Sequence, residues 1–247
     1  MIPAPAQPGE LAEAAHVLSG LGLVTAYGHV SARTGASMLI TPAADLATVT
    51  ETAIIEVSLA ACALPPGAPA EGWAHLALYR ARPDAAAIAR AQPASTLAAA
   101  ATTTSLPILH GQAAWLGESV PVHDGAALLR SAELAERAAR SLPAGEALLL
   151  RGNGALTLGT APGLAVARMW LLSVACDVFL SAQAAGPAKP LSSAETASWR
   201  AVADELLPRL WHHLRRRAGQ RAQSRSGVPA AQVSRTPARR RRPTFRI

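Results

Sequence analysis

Pro69 to Ser95 is the stretch that most narrows what this chain can fold into. Glu71 and His75 lie four residues apart, which puts both on one face of a helix. Leu76, Leu78 and Tyr79 continue that helix, and Arg82-Pro83-Asp84 stops it, because proline has no N–H for the ladder and clashes with the preceding turn. Ala86 to Ala91, apolar except for Arg90, reads as a short buried strand, and a second helix begins near Pro93. The order is helix, tight turn, buried strand, helix, with an acidic residue at one end and Arg90 and Gln92 at the other.

The rest of the chain supplies the layers. Glu10 to Leu18 has the apolar spacing of an amphipathic helix, closed by Gly20 and Gly22. Tyr27 to Arg33 and Ser37 to Thr41 read as strands joined across Thr34-Gly35, with Ile54 to Ser58 as a third. Leu64 to Pro69 is a loop by composition. Leu106 to Gly111 leads into a short helical piece through Trp115. Ser119 to His123 reads as a strand that Pro121 assigns to a sheet edge. Ala126 to Leu142 reads as a helix with Glu133, Glu136, Arg137 and Arg140 outward. Ala147–Arg151 and Ala155–Leu158 flank Gly152-Asn153-Gly154, a compact turn between two strands. Gly163 to Ala185 is the longest apolar helix, and Ser192 to about Arg217 is helical again. The order predicts an α/β/α layered domain with a central, mainly antiparallel sheet. A dinucleotide-binding reading fails, since Gly152-Asn153-Gly154 lacks the third glycine and opens a strand instead of a helix.

Charge divides the chain in two. Residues 1–208 hold 11 Lys and Arg against 16 Asp and Glu, a balance of −5. Residues 209–247 hold 12 Arg and no acid, a balance of +12. The expected organisation is a domain over 1–217 and an Arg-rich disordered tail over 218–247. That tail offers non-specific contact to nucleic acid or an anionic surface, or is a solvated extension; it has no interleaved aromatic residues for base stacking. The two cysteines, Cys62 and Cys176, form no metal or redox motif. The N-terminus lacks the basic start and apolar run of a signal peptide, and no uninterrupted apolar run reaches membrane-spanning length. A cytoplasmic protein without membrane insertion is expected.

Several segments together carry a family resemblance. They are Gly28-His-Val-Ser-Ala-Arg33, Met38-Leu-Ile-Thr-Pro42, the Glu71–His75 helix with Tyr79-Arg-Ala-Arg-Pro-Asp84, and Leu109-His-Gly-Gln-Ala-Ala-Trp-Leu-Gly117. Val120-Pro-Val-His-Asp124 and Leu148 to Gly159 complete the set. In this order, over residues 9–195, they resemble the class II aldolase/adducin head-domain family. The resemblance implies the layered fold, a homotetramer with sites at subunit contacts, and a divalent ion such as zinc that polarises a carbonyl oxygen. A carbon–carbon bond is then cleaved with a Glu as acid/base, whereas adducin carries the same domain without catalysis.

Against that pattern, the three positions of the metal-binding histidines hold Arg90, Gln92 and Asn153. Amide carbonyls are poor zinc ligands. A fixed cation about 4 Å from a divalent ion costs about 8 kcal/mol at an effective dielectric near 20. No tightly held metal is therefore expected. The phosphate anchor is altered as well: His29, Ala43-Ala44 and Pro69-Ala70 stand where the resemblance implies amide, hydroxyl and glycine donors. The expected substrate is a small, non-phosphorylated carbonyl or carboxylate compound.

Glu71 occupies the acid/base position, beneath what the sequence presents as an apolar wall. His29, Arg90, Gln92 and Asn153 are the expected substrate-binding residues. Bland readings stand beside these. Glu71 is equally a helix-start acid favoured by the macrodipole, with His75 as its packed or surface partner. Arg90 is a strand-end charge or a counter-charge for a substrate carboxylate, and Asn153 is a residue that tight turns prefer. His123-Asp124 is a dyad or an ordinary strand end, Ser31 and Ser95 are ordinary serines, and His212-His213 face solvent. Two functions follow: a divergent carbon–carbon lyase, aldolase- or decarboxylase-like, or a non-catalytic, adducin-like binding or assembly module.

Overall fold

The computed structural model describes residues 6–226. Its elements are α1 (Pro8–Gly20), β1 (His29–Thr34), β2 (Ser37–Ile40), β3 (Ile55–Ser58), α2 (Gly72–Ala81), β4 (Ala87–Ala91) and α3 (Ala94–Ala100). There follow β5 (Ser105–Pro107), β6 (Ser119–His123), α4 (Ala132–Arg140), β7 (Ala147–Leu150), β8 (Gly154–Gly159), α5 (Pro162–Ala185), α6 (Ser193–Arg200) and α7 (Ala203–Ser226). The eight strands form one sheet in the order β3-β2-β1-β4-β8-β7-β6-β5. Every pairing is antiparallel except the parallel β6–β7 pair.

Side-chain alternation along the strands sorts two cores. On β4, Ala87, Ala89 and Ala91 join the core under α1, α3 and α5, and Ile88 joins the core under α2 and α4. The same two-residue period divides β7: Ala147 and Leu149 pack with the first core, Leu148 and Leu150 with the second. The alanines of β4 let α5 pack close against the centre of the sheet. Helix α5 is the one helix among the described residues long and apolar enough to cross a membrane by length and composition. Here it is a core helix: its Arg168 donates to Leu158 O (3.0 Å) and Trp115 O (3.2 Å) and pairs with Glu146 (3.4 Å).

Three boundaries differ from the sequence reading. Strand β6 is interior, covered by short β5; Ser105 opposes Pro121, and the pairing with β7 starts only at Val122, beyond the proline. Residues 126–131 are not helical, and α4 starts at Ala132 with Ser131 as its cap, the hydroxyl accepting from Leu134 N. The final helical stretch is two helices, and α7 continues past Arg217 to Ser226. Tertiary contact carries it there: Ala218 is buried against Gly20 of α1, and Arg221 donates to Leu21 O at 3.2 Å. The Arg-rich stretch from residue 227 onward lies outside the described residues.

Candidate functional site

Residues His29 of β1 and Arg90 of β4 are directly opposed in the antiparallel register. Opposed residues project from the same face of the sheet, so both point to the α2 side, and Ser31 follows His29 on that face. Helix α2 then lays His75 and Tyr79 over them. Ser31 Oγ lies 2.7 Å from His75 Nδ1 and 2.9 Å from the Tyr79 hydroxyl. His75 is therefore packed, as one sequence reading had it, but its partner is Ser31 and not Glu71.

Glu71 is turned the other way because it precedes the first helical residue. It stands at the N-cap of α2 with φ −84° and ψ 9°, and its side chain caps nothing. Its carboxylate accepts from Arg90 Nη2 (2.9 Å, through Oε2) and from Asn153 Nδ2 (2.9 Å, through Oε1). Asn153 Oδ1 in turn accepts from Arg90 Nη2 at 2.6 Å. With its amide oriented by its neighbours, Gln92 donates to Tyr27 O at 2.6 Å and its oxygen accepts from both Arg90 terminal nitrogens. The expectation of Glu71 beneath an apolar wall is thus corrected: its immediate neighbours are a guanidinium and an amide.

The turn at Gly152-Asn153-Gly154 makes this closure. Gly154 has φ +84°, and a Cβ there would stand 2.2 Å from Ala91 O and 2.8 Å from Gln92 Cα. Only glycine lets the turn press so closely on the end of β4. That approach brings the Asn153 amide between Arg90 and Glu71.

The four polar groups line a cavity of about 880 Å³. His29, Ala43, Ala44, Pro69 and Ala70 line it too, so all five sequence-predicted site residues and the altered phosphate-anchor positions converge on one space. Arg90 is 1% exposed and Glu71 11% by side chain, which makes theirs a buried ion pair. Burial lowers the Arg90 pKa, against the pull of the Glu71 carboxylate. Burial, then the charges of His75 and Arg90, hold His29 well below the usual histidine value. Burial and Arg90 push His75 down to about 3. Both imidazoles are neutral at pH 7.

Sequence reasoning missed Arg130, which lines the cavity from the non-helical segment before α4. It is exposed and forms no hydrogen bond or ion pair with its side chain among the described residues. The signal was present: Ser131 is a strong N-cap residue, and it takes Arg130 out of the helix. Tyr27 (72% exposed) and Leu128 (47%) form an apolar rim. His123 and Asp124 are not a dyad. His123 Nδ1 faces Ser141 Oγ (3.0 Å), and Asp124 pairs with Arg151 (2.6 Å).

The donor set bears directly on a metal ion. Arginine offers five N–H donors and no acceptor. Among the described residues no group of three or more His, Cys, Asp or Glu side chains is placed to share an ion. The residues at the cavity floor do not fit one.

The layered fold is shared with solved structures of aldolases and related proteins. L-fuculose-1-phosphate aldolase from Thermus thermophilus is 28% identical, with a TM-score of 0.63 over 72% of this chain and 96% of that one. An aldolase II superfamily protein from Pseudomonas syringae is 22% identical, with a TM-score of 0.72 over 91% and 96%. YgbL from Escherichia coli, described as a putative aldolase/epimerase/decarboxylase, is 21% identical with a TM-score of 0.68 over 78% and 97%. No curated protein matches the sequence. The family model for the class II aldolase and adducin N-terminal domain matches residues 9–180, and the chain belongs to that family.

Proposed function

We propose that this protein is a divergent carbon–carbon lyase, aldolase- or decarboxylase-like, that acts on a small non-phosphorylated carbonyl or carboxylate compound without a resident metal ion. The observation that carries the reading is the Arg90 guanidinium, held 2.9 Å from the Glu71 carboxylate at the floor of the cavity. A guanidinium that is itself buried stabilises a developing oxyanion by hydrogen bonding. Glu71 is the proton-transferring residue, its lone pairs not taken by Arg90 and Asn153 facing the cavity. Asn153 fixes both partners, Gln92 orients Arg90, and neutral His29 supplies a hydrogen bond from the cavity wall. Arg130 at the rim is a counter-charge for a substrate carboxylate. Methyl groups and a proline at Ala43, Ala44, Pro69 and Ala70 offer no side-chain donors to a phosphate group at those positions. We also place the protein in the cytoplasm as a homotetramer, with the exposed Tyr27 and Leu128 rim at a subunit contact.

One feature favours a second reading, a non-catalytic binding or assembly module. The Glu71–Arg90–Asn153 cluster satisfies much of its own hydrogen-bonding capacity, as a structural ion pair does. A panel of short 2-oxo and 2-hydroxy acids, screened by ligand-observed NMR and for turnover, separates the two. Binding that Arg130→Gln weakens about tenfold, the order expected for one charge-assisted hydrogen bond, with turnover that Glu71→Gln abolishes, is the expected result. Binding of these acids with no turnover of any of them would end the enzyme reading, and turnover that Glu71→Gln leaves unaltered would end the role given to Glu71.

A further inference from the structure

A second concave site lies away from this cavity, between α7 and the 3-10 helix Gly111–Leu116. Arg209, His212, His213 and Arg216 are spaced i, i+3, i+4, i+7, which stacks them on one face of α7. All four line a groove of about 610 Å³ opposite Gln112 and Trp115, and no acidic residue lines it. The helix sorts its cations. Arg215, on another face, pairs with Glu13 of α1 and lies over the Trp211 ring, and Arg221 donates to Leu21 O. Arg209, His212, His213 and Arg216 are all exposed, and their side chains have no hydrogen bond or ion pair among the described residues. Of the acids on that side, Glu118 is taken by Arg200, and Glu205, one turn before Arg209 on the same face of α7, forms no ion pair among the described residues and does not line the groove.

We infer that this groove is a binding site for an extended small oligo-anion of the triphosphate class, separate from the cavity at Arg90. Arginine is charged at every relevant pH and binds phosphate oxygens through a planar fork. Seven residues of helix set the backbone positions of Arg209 and Arg216 about 10.5 Å apart, a span that a chain of three phosphates matches and that a single phosphate reaches only by drawing both side chains inward. The two imidazoles between them serve as further N–H donors. The buried Trp115 wall and the concave shape focus the field of the two arginines on the groove, where a convex surface would disperse it.

The test is calorimetric titration of the full chain with inorganic tripolyphosphate, with two variants run beside the wild type. The first carries Arg209→Gln and Arg216→Gln; the second carries Gln at Arg239, Arg240, Arg241 and Arg242 of the basic C-terminal sequence. The expected result is one saturable site that weakens with added salt. The groove variant loses at least about tenfold in affinity, the order of one charge-assisted hydrogen bond, while keeping the wild-type melting temperature. The C-terminal variant keeps both groove arginines and retains affinity within about twofold, since salt screens charges that do not touch the ligand. No saturable binding by the wild type, or binding that follows the C-terminal arginines and ignores Arg209 and Arg216, would overturn the assignment.

Discussion

Glu71→Ala is expected to lower the unfolding free energy by about 3–5 kcal/mol, the cost of removing one partner of a buried ion pair. Arg90 is 1% exposed and cannot shed its proton, and its remaining neighbours, Asn153 and Gln92, carry no charge to replace the carboxylate. Glu71→Gln costs less, since the amide oxygen still accepts from Arg90. The double change Glu71→Gln with Arg90→Met recovers much of the Glu71→Ala loss, because it removes the buried charge as well as its partner. Urea unfolding of the four proteins checks this. A Glu71→Ala loss below about 1 kcal/mol would mean that the pair behaves as an exposed one and that the cluster does not hold the cavity floor.

Acid is the second large effect. His75 has a folded pKa of about 3 against an ordinary value of 6.5, so below pH 6.5 the unfolded chain takes up a proton that the folded protein refuses. Stability from this group is complete above pH 6.5 and is lost as pH falls from 6.5 toward 3. The slope is about 1.4 kcal/mol per pH unit, or about 2 kcal/mol between pH 7 and pH 5. His29, held low by burial and by the charges of His75 and Arg90, adds a loss of the same sign. Denaturant unfolding at pH 7 and pH 5 measures the sum, and His75→Gln should flatten the slope while costing stability at pH 7. Equal stability at both pH values in the wild type would mean that these imidazoles are not held neutral by the fold.

The sheet was readable because its strands alternate against two different covers. Ala87, Ala89 and Ala91 against Ile88 and Arg90 already show a strand wrapped on both sides, and α5 announces itself by length and apolarity. Boundaries set by tertiary contact were not readable. Arg221 and Ala218 hold the end of α7 on α1 across about two hundred residues of sequence, and composition alone gives no hint of that dock. Pro121 pointed to an edge only because the start of the β7 pairing just beyond it is invisible in the sequence. The site divides the same way. Glu71, Arg90 and Asn153 were each identifiable by position, but their closure into one ring joins residues 63 and 82 apart, and it depends on how closely Gly154 approaches β4. The same closure is why Glu71 faces a cation where an apolar wall was expected.

In the proposed reading, a guanidinium held by Glu71, Asn153 and Gln92 takes the place that the family resemblance gives to a metal ion. The direct measurement is elemental analysis of the full chain, expressed with zinc, iron and manganese supplied and passed through gel filtration, alongside the variant carrying Arg90→His, Gln92→His and Asn153→His. The reading predicts no stoichiometric metal in the wild type and a gain of bound zinc in the triple variant, where three imidazoles replace one cation and two amides. One ion per chain retained by the wild type would contradict it.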